Sequence, residues 1–565
     1  MAGLLYNEGE MIRNQIKKDL KKAVEKSFGV EVKDIHLEHP ANLEHGDYSS
    51  NAAMTLAKEL GEPPMEIAND VVAQFTARSQ SIDRVEVAPP GFINFYLKKG
   101  WLQGQVGEIL GQGVDYGLNE DLPAGKAGLR IKNEETKVQV EFISANPTGP
   151  LHAGNARGGF CGDVLANVLS KIGYQVQREY YTNDKGVQVD KLAESVKAYR
   201  AALIKSLAFD KVDLTANGYK GEYVKVIAER AQEEGMESLE DLRSFALAEI
   251  LKNIKKTVQR MGIKFDQFFS ETSLYNSYQA QKAVDFLKSQ NLTYEKEGAV
   301  WFKSSKFGDE KDRVLIKSDG EMTYLVSDLA YHLDKFEKRR FDQVILFWGA
   351  DHHGYIPRFM AMVEAIGHKG KARVELIQLL KLARGGKVVR MSKRAGDFVT
   401  VDDVLDEIGL DAARFHFLAA PLSTPMTLDL EKAKEQNQKN PVYYVQYACA
   451  RMQSILAKSQ ISNLKSQINS KFKISKLQTD EELALIRKLV QLPEVVVDIS
   501  QNHEVHRLPQ YAIEVADAFH QFYENCRVLS DDEELTAARL SLVKATQIIL
   551  AETLSLMGIS APEKM

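Results

Sequence analysis

A strand, a tight turn and a glycine-punctuated helix follow one another at residues 138–170 and most constrain the fold. Residues 138–142 alternate apolar and polar side chains, as a half-buried strand does, and residues 156–170 carry a helical pattern. A second strand is predicted at 175–181, directly after Gly173, a glycine suited to end a helix. Because parallel strands joined by a helix form a right-handed crossover, the segment predicts the β-α-β unit of a Rossmann-like α/β domain.

The turn of this unit is a candidate ligand site. A helix N-terminus offers unpaired N–H groups and a partial positive charge, which suit a triphosphate, and Gly154, Gly158 and Gly159 allow close approach to the backbone. A His-x-Gly pair is equally explained by a capping or core histidine. The residues of this motif are Ala145, Asn146, Pro147, Thr148, Gly149, Pro150, Leu151, His152, Ala153, Gly154 and Asn155.

A second segment, Val388 to Gly396, suggests phosphate binding. It contains Arg390, Met391, Ser392 and Lys393, and it follows two glycines, Gly385 and Gly386, that look flexible. Taken alone, this basic loop could be a solvated surface turn. Nucleotidyl transfer from ATP needs reactants held in place and charge stabilised as pyrophosphate leaves, and His152 and Lys393 fit those two roles.

Length and composition describe an ordinary globular chain. At 565 residues it is too long for one core, so three or four domains are expected. Hydrophobic residues make up 44% and charged residues 27%. Because the net charge is −5, an RNA partner would have to bind local basic patches.

The cysteines and the chain start bear on compartment. Cys161, Cys449 and Cys526 lie far apart without a Cys-x-x-Cys spacing, which argues for a reducing compartment and against structural zinc. Each is expected to be a small buried side chain. There is no run of about 18 apolar residues and no leader-like N-terminus, so a cytoplasmic protein without a membrane segment is expected.

The chain divides by pattern into three domains. Residues 1–111 read as a small α+β domain with a first helix near 12–28 and a strand, turn and strand at 85–97. A linker is expected at 112–136. The catalytic α/β domain spans 137–425, with a helical insertion at about 190–270 and strands at 300–303 and 344–348, and an all-α helical-bundle domain spans 426–565. Within the last, 459–478 is expected to be poorly ordered.

Several strings resemble the arginyl-tRNA synthetase family of bacterial type, within the class I aminoacyl-tRNA synthetases. The turn at 44–48 and the strand at 90–95 are similar to that family's N-terminal domain, which touches the corner of the tRNA. Residues 322–328 and 348–354 resemble its active-site strands, and 440–451 its helical anticodon-binding domain. The resemblance runs nearly from end to end.

The resemblance implies the site residues and partners. The arginine pocket would be lined by Glu141, Ser144, Asn146, Tyr324 and Asp328. The residues that handle ATP would be His152, Gly154, Asn155, Arg390, Met391, Ser392 and Lys393, of which His152, Asn155 and Lys393 are catalytic candidates. The tRNA contacts would be Asn94, Tyr443, Tyr447, Arg451 and Met565. The implied partners are tRNA(Arg), L-arginine and ATP with Mg²⁺, and the expected state is a monomer.

The chemistry agrees with this placement. A guanidinium is planar, always protonated and carries five donors, so a selective pocket needs carboxylates and an aromatic face, which Glu141, Asp328 and Tyr324 supply. Asp351 and the two histidines after it could suggest a metal, but neighbours on a strand point to opposite faces and no third ligand is evident, so no metal is expected. For Asn94 a turn-stabilising role is an alternative to tRNA contact.

Three positions depart from the family pattern. Arg390 stands where the class motif has its first lysine, Asn155 where it has a second histidine, and Cys449 where the helical domain often has histidine. Arg390 keeps the charge but changes the geometry, and Asn155 keeps a donor without a titrating ring.

Two other functions remain open at this stage. A different class I synthetase or nucleotidyltransferase would share the ATP motifs, but the cysteinyl enzyme would need zinc-binding cysteines that are absent. A non-catalytic tRNA-binding paralogue would share the scaffold, and the presence of Glu141, His152, Asp328 and Lys393 argues against it. The insertion at 190–270 is too short to hold an editing domain, and arginine needs none because buried polar groups discriminate it.

Overall fold

An N-terminal three-stranded antiparallel sheet is covered by helices. The structure is a computed structural model that describes residues 11–75, 81–118, 135–207, 212, 214, 218–389, 398–458 and 474–565. The N-terminal elements are α1 (Ile12–Phe28), β1 (Tyr48–Ser50), α2 (Ala52–Leu60), α3 (Pro64–Gln74), β2 (Ile82–Ala88), β3 (Phe92–Leu97) and α4 (Lys99–Gln112), with sheet order β1-β3-β2. The first helix and the strand-turn-strand at 85–97 are confirmed. The expected linker begins with a short 3-10 turn, Gly113–Asp115, and residues 119–134 lie outside the described ranges.

The second unit is built on a five-stranded parallel sheet. Its elements as far as the edge strand are β4 (Lys137–Glu141), α5 (Ala153–Lys171), β5 (Gln175–Thr182), α6 (Val187–Ile204), α7 (Glu222–Glu233), α8 (Leu239–Arg260) and β6 (Gln267–Ser270). The strands β4 and β5 are parallel neighbours, so the β-α-β unit is confirmed. The helical insertion is also present as α6 to α8.

Two strands from later in the chain complete this sheet, and three others form a separate small sheet. The next elements are α9 (Glu271–Asn276), α10 (Gln279–Ser289), β7 (Thr293–Lys296), β8 (Ala299–Phe302), β9 (Arg313–Ile316), α11 (Tyr324–Leu333), β10 (Gln343–Gly349), α12 (Ile356–Ala365) and β11 (Ala372–Ile377). The order β11-β10-β4-β5-β6 places β4 beside β10, where the strand order reverses. Ligands of open parallel sheets bind outside the carboxyl ends of the strands at such a reversal.

The expectation that 322–328 forms a strand is wrong, because α11 begins at Tyr324. Thr323 has extended backbone at φ −80° and ψ 164° and precedes the first helical turn. Leu325, Val326 and Leu329 are buried at helical spacing. The segment therefore places Tyr324 and Asp328 one helical turn apart, on one side of α11.

Gly385 and Gly386 form a hairpin turn and not a hinge. The remaining catalytic elements are β12 (Leu380–Arg384), β13 (Lys387–Val388), α13 (Val401–Ile408), α14 (Leu410–Leu418) and β14 (Met426–Asp429). The glycines, at φ 56° and 80°, join β12 to β13. Both of their N–H groups donate to the Asp429 carboxylate, at 3.2 and 2.8 Å. A two-residue turn with positive φ at both positions favours glycine for its conformation, so the expected flexibility is wrong.

The C-terminal part is an all-α bundle. Its helices are α15 (Leu430–Ala433), α16 (Pro441–Lys458), α17 (Asp480–Leu489), α18 (Leu492–Asn502), α19 (Arg507–Asn525) and α20 (Glu533–Met557). Residues 459–473 of the segment expected to be poorly ordered lie outside the described ranges. For 474–478 that expectation is wrong, because Leu477 is fully buried and its carbonyl accepts from Gln103 Nε2 at 2.7 Å.

One helix of the bundle has the length and composition of a membrane span. Among the described residues this is α20, whose most apolar window has a mean hydropathy of 1.3. Arg539 and Lys544 interrupt the apolar sequence of this continuous helix. In addition, 72% of the most apolar window is buried against the rest of the protein. This burial is that of a core helix.

A buried arginine joins the catalytic unit to the bundle. Arg414 on α14 is 1% exposed. Its guanidinium donates to Met261 O at the end of α8, at 2.8 and 3.1 Å, and to Met557 O at the end of α20, at 2.8 Å. It also pairs with Asp163 Oδ2 on α5 at 2.9 Å. Helices α5, α8 and α20 therefore meet at one side chain, and no boundary free of contacts separates the two units.

The N-terminal unit docks on the bundle through the apolar face of α4 and through several polar groups. Tyr48 donates its hydroxyl proton to Glu494 Oε1 at 2.8 Å, and a ring nitrogen of His39 lies 2.9 Å from Glu494 Oε2. Arg487 Nε donates to Asp47 Oδ1 at 2.6 Å. The first and third units are thus neighbours in space.

Candidate active site

The signature turn holds His152 at the start of α5. His152 has extended backbone at the N-cap, and its N–H donates to Asn155 Oδ1 at 3.0 Å in a capping box. A Cβ on Gly154 would lie 2.9 Å from the His152 ring, so the ring lies over that glycine. Asn155, the departure from the class motif, therefore caps the helix and orients the turn in which His152 lies.

The glycines of α5 admit neighbouring side chains. A Cβ on Gly158 would lie 2.4 Å from Ile377 at the end of β11, and one on Gly159 would lie 2.8 Å from Met261. The approaching atoms are the terminal methyl groups of Ile377 and Met261, so a larger residue at either glycine would require these side chains to move. The close approach expected at these positions is made by side chains of adjoining segments, and α5 is seated directly under the turn.

The chain after the basic loop is paired with the signature turn. Arg390, Met391, Ser392 and Lys393 lie outside the described residues, as does the rest of 390–397. Ala153 N donates to Val399 O at 3.0 Å, and Val401 N donates to Leu151 O at 2.9 Å. The loop therefore returns to the chain beside His152, and this brings together the two segments that the sequence pairs.

The residues that follow β4 adopt an uncommon backbone. Ile143 and Ser144 have φ values of 65° and 37°, a region that costs free energy for non-glycine residues and is found often at functional sites. Ser144 Oγ accepts from Tyr181 N at 3.0 Å and donates to Glu141 Oε1 at 3.3 Å. Asn146 is exposed and donates to Gln188 Oε1 at 2.9 Å.

Glu141 ends β4 and is almost fully enclosed. Its Oε2 accepts from Lys335 Nζ at 2.7 Å and lies 3.0 Å from the Tyr331 hydroxyl. Its Oε1 accepts only from Ser144 among the described hydrogen bonds. A carboxylate oxygen has two acceptor positions, so Oε1 retains one for a ligand. Glu141 alone therefore cannot hold a guanidinium through both of its oxygens.

Asp328 lies half-buried on α11 and is the second carboxylate of the pocket. Its Oδ2 accepts from the Tyr355 hydroxyl, and its Oδ1 has no donor among the described residues. Burial and the charge of Glu141 together raise the pKa of Asp328 to about 6, although the hydrogen bond from Tyr355 and the charge of Lys335 act to lower it. Tyr324 is 66% exposed at the mouth. The pocket thus carries negative charge in need of a cation.

A third carboxylate, Glu271, was missed by sequence reasoning. It is the first residue of α9, directly after β6, and is 3% exposed. Burial raises its pKa to about 7, and the charges of Asp328 and Asp184 act in the same direction. Its Oε2 is buried without a hydrogen-bond partner among the described residues. The available signal was its position at the carboxyl end of a strand, where ligands bind.

The residues once considered for a metal lie in a 3-10 turn. Asp351, His352 and His353 belong to Ala350–Tyr355, so the expected alternation of a strand does not apply there. All three are exposed, and the His352 ring centre lies 6.0 Å from that of Trp348. Within the described ranges no group of three or more histidine, cysteine, aspartate or glutamate side chains could hold a metal ion.

Comparison with known proteins agrees with this geometry. A family model described as the class I (R) catalytic domain of tRNA synthetases matches residues 121–419. Models of the arginyl-tRNA synthetase N-terminal domain and of the DALR anticodon-binding domain match 10–97 and 445–565. The chain belongs to the arginyl-tRNA synthetase family. The family and the fold class inferred from the sequence are both confirmed.

Relatives in this family match over nearly their whole length. The arginine–tRNA ligase of Bacillus subtilis (strain 168) is 42% identical, with 99% of this chain and 100% of that one covered. That of Dehalococcoides mccartyi (strain BAV1) is 43% identical over 94% of both chains. The structure of the Thermus thermophilus arginyl-tRNA synthetase superposes with a TM-score of 0.77 at 22% identity, covers 98% of this chain and 100% of that one, and so shares the fold.

Asn94 does not offer its side chain to a tRNA. It lies inside β3, is 3% exposed, and its Oδ1 accepts from Ser49 Oγ at 2.7 Å across to β1. The side chain is therefore not accessible to a tRNA in this conformation, and a contact at this residue stays a prediction. The alternative of a turn-stabilising residue is wrong, because Asn94 lies within a strand and its hydrogen bond links two strands.

The helical domain of this chain carries a stacked aromatic row. The rings of Tyr443 and Tyr447 on α16 are 8° from parallel, with centres 6.5 Å apart. The Arg451 guanidinium lies 5.1 Å from the Tyr447 ring centre and 4.5 Å from that of Tyr523. Met565 is 54% exposed. Cys449 is buried on the other side of α16, so its place in the family pattern is a core position here.

Proposed function

We propose that this chain ligates L-arginine to tRNA(Arg) at the expense of ATP. Arginine is first joined to AMP as an enzyme-bound arginyl-adenylate and is then transferred to the 3′-terminal ribose of the tRNA. The names of the full-length relatives support this reaction, since both are arginine–tRNA ligases. The class I catalytic domain supports ATP as the nucleotide.

The charge of the pocket is the observation that carries the proposal. Asp328 and Glu271 are carboxyls whose pKa values burial raises to about 6 and about 7. A bound cation favours their ionised forms and offsets part of the cost of burying them. A guanidinium is permanently charged and has several donors, so it can span Asp328 Oδ1 and Glu141 Oε1. Tyr324 covers the mouth.

The first step forms one bond and breaks one bond at phosphorus. An oxygen of the arginine carboxylate attacks the α-phosphorus of ATP, and the α,β-bridging oxygen leaves with pyrophosphate. We place the triphosphate at the N-terminus of α5 beside His152 and Gly154, where N–H groups and the helix dipole favour negative charge. Mg²⁺ is expected to arrive with the phosphates of ATP.

The second step transfers arginine. A ribose hydroxyl of the terminal tRNA nucleotide attacks the carbonyl carbon of the adenylate, and AMP leaves with the electron pair of the broken C–O bond. The half-buried row of Tyr443, Tyr447 and Arg451 fits stacking with unpaired bases of the anticodon loop, with Met565 nearby. We also propose that the protein is a monomer and that it is located in the cytoplasm.

Replacing Lys393 with alanine is expected to slow adenylate formation roughly a hundredfold or more, because its charge acts on the departing pyrophosphate. The KM for arginine should change little. ATP–pyrophosphate exchange with saturating arginine measures the effect. Lys387→Ala, which removes an exposed cation from the preceding hairpin, is the matched control. Equal exchange rates for the two variants would contradict the role of Lys393.

Arginine activation is expected to require bound tRNA, as the family resemblance implies. Exchange should be nearly silent without tRNA and should appear when tRNA with an oxidised, non-accepting 3′ end is added. A shift from about 1% to about 99% competent enzyme needs roughly 5.5 kcal/mol of preferential binding. The Gly385–Gly386 turn cannot provide the hinge. The pairing of 399–401 with the signature turn is the remaining route from the α13–α14 region to the site. Comparable exchange in both conditions would refute the coupling.

A screen of the amino acids in the exchange reaction tests the function itself. Arginine alone should support exchange in the presence of tRNA. Exchange with a different amino acid would favour another class I synthetase, and no exchange with any amino acid, with tRNA still bound, would favour a non-catalytic tRNA-binding protein.

A further inference from the structure

A lysine lies completely buried at the base of the arginine pocket. Lys335 is 0% exposed and belongs to the π-helical turn Asp334–Lys338 that continues α11. Its Nζ lies 2.7 Å from Glu141 Oε2 and 4.0 Å from the centre of the Tyr331 ring. Burying an ammonium is costly unless it is paired, and π-helical turns occur often at functional sites.

We propose that Lys335 is a positioning residue for arginine recognition. It fixes Glu141 so that Oε1 faces the substrate, and it supplies the counter-charge that leaves Asp328 as the principal charge partner of a single guanidinium. This inference rests on the proposed function of the pocket. It deepens that function by naming what sets the orientation and the charge of its first carboxylate.

Lys335 is the main support of the Glu141 carboxylate. The Tyr331 hydroxyl is close to both Glu141 and Glu179 but has one proton, so it donates to only one of them at a time. The bond from Ser144 is long, at 3.3 Å. The ammonium at 2.7 Å is therefore the strongest donor to Glu141, because a charge-assisted hydrogen bond is about twice as strong as a neutral one.

The neighbouring carboxylate, Glu179, does not compete with Glu141 for Lys335. Glu179 lies opposite Glu141 in the register of β4 and β5. It is held by Arg339 through both of its oxygens, and Arg339 Nε lies 2.8 Å from Asp334 Oδ2. Lys335 and Arg339 are four residues apart and each serves one strand carboxylate. Lys335 is thus assigned to Glu141 by geometry.

The same cation acts on the second carboxylate of the pocket. Lys335 and His352 lower the pKa of Asp328, whereas burial and Glu141 raise it. Tyr355 faces Asp328 from the 3-10 turn and also lowers its pKa through a hydrogen bond. Removal of the ammonium should therefore raise the pKa of Asp328, so that more of it is protonated at neutral pH.

Glu271 faces the same region from α9. Its pKa is raised by burial and by Asp328 and Asp184, and is lowered by Ser327 and Lys185. Lys335 is not one of the groups that shift the pKa of Glu271. The effect of Lys335 on arginine binding should therefore run through Glu141 and Asp328, and a pH profile can detect it.

Lys335→Met keeps a flexible side chain of similar length and removes the charge. We expect the KM for arginine in the exchange reaction to rise about tenfold or more at pH 7, with kcat changed much less. The increase should shrink between pH 7 and pH 9, because Asp328 becomes ionised again as the pH rises above its elevated pKa. Lys338→Met is the control, since Lys338 lies in the same turn but its side chain is 70% exposed.

A double variant separates positioning from folding. Lys335→Met leaves Glu141 buried without its cation and could fail to fold, whereas Lys335→Met with Glu141→Gln removes both charges together. At pH 9, where Asp328 is ionised in every variant, the double variant should have the same KM for arginine as Glu141→Gln alone if Lys335 acts through Glu141. A double variant whose loss of arginine binding equals the sum of the losses in Lys335→Met and Glu141→Gln would overturn the inference.

Measurements on the wild-type enzyme distinguish a failure of the proposed function from a failure of the inference about Lys335. Wild-type protein that does not activate arginine in the presence of tRNA would refute the proposed function. Wild-type protein that activates arginine, together with a Lys335→Met variant whose KM is unchanged or is raised equally at every pH, would refute only the role of Lys335.

Discussion

Asp328→Asn is expected to weaken arginine binding on the order of 2–5 kcal/mol, because it removes the charge partner of a desolvated guanidinium. The side chain keeps its size and can still accept from Tyr355, so the loss should reflect charge. Discrimination against citrulline, the uncharged analogue, should narrow. Exchange kinetics with both amino acids measure this, and discrimination equal to wild type would rule out the pocket assignment.

The pH dependence of the KM for arginine in the wild type and in Asp328→Asn gives an independent check. Burial raises the pKa of Asp328 to about 6 in the free protein. Arginine binds the ionised form, so the wild-type KM for arginine should rise as the pH falls through about 6. Asp328→Asn should lack this transition near pH 6, and any pH dependence that it keeps should come from Glu271, whose pKa burial raises to about 7. Tyr355→Phe, which removes the hydroxyl but keeps the carboxylate, should move the transition to higher pH and preserve most of the discrimination.

Arg414→Met is expected to destabilise the protein by about 3–5 kcal/mol, the usual effect of leaving a buried charge unpaired. The substitution removes the partner of Asp163 and the donors to Met261 O and Met557 O. Two helix C-termini would lose the cation that complements their dipoles. Urea unfolding and Tm measure the loss, which should affect the catalytic unit and the bundle in one transition.

Two further substitutions calibrate this result. Arg414→Lys should recover part of the stability, because an ammonium is a point charge and cannot reach three acceptor groups with a planar fork. Arg260→Met removes an arginine whose side chain is 42% exposed beside Asp402 and Asp406, and should cost about 1 kcal/mol or less. A similar Tm for Arg260→Met and Arg414→Met would show that Arg414 does not join the units.

Local patterns in the sequence were sufficient for the parallel sheet. The alternation at 138–142, the helix after His152 and the glycine at 173 are short-range signals, and each corresponds to an observed element. The two glycines at 385–386 also carry a local signal that was misread. A glycine pair between two strand-like runs is a hairpin signature, and Asp429, 43 residues later, fixes it.

The pocket could be predicted only in part, because its remaining contacts are long-range. Glu141 and Lys335 are 194 residues apart, and a lysine near the end of a helix looks like a solvated side chain in a sequence. Arg414 similarly gathers carbonyls from two distant helices. A truncation after about residue 430, attractive from composition alone, would remove α20 from its contact with α5 and expose core residues on both.

The polar docking of the first unit on the last has a consequence for synthesis on the ribosome. Tyr48 and Glu494 are 446 residues apart. At about 5–20 residues per second, the N-terminal unit waits roughly 20–90 seconds for its partner to emerge. An apolar face left open for that time would invite aggregation. Water can solvate the polar groups of His39, Asp47 and Tyr48 during this time. Arg487 and Glu494 replace that water once the bundle is made. The apolar face of α4, which packs against α20 in the finished protein, stays open until α20 is made, so this face and not the polar contacts is the part of the interface exposed to aggregation during synthesis.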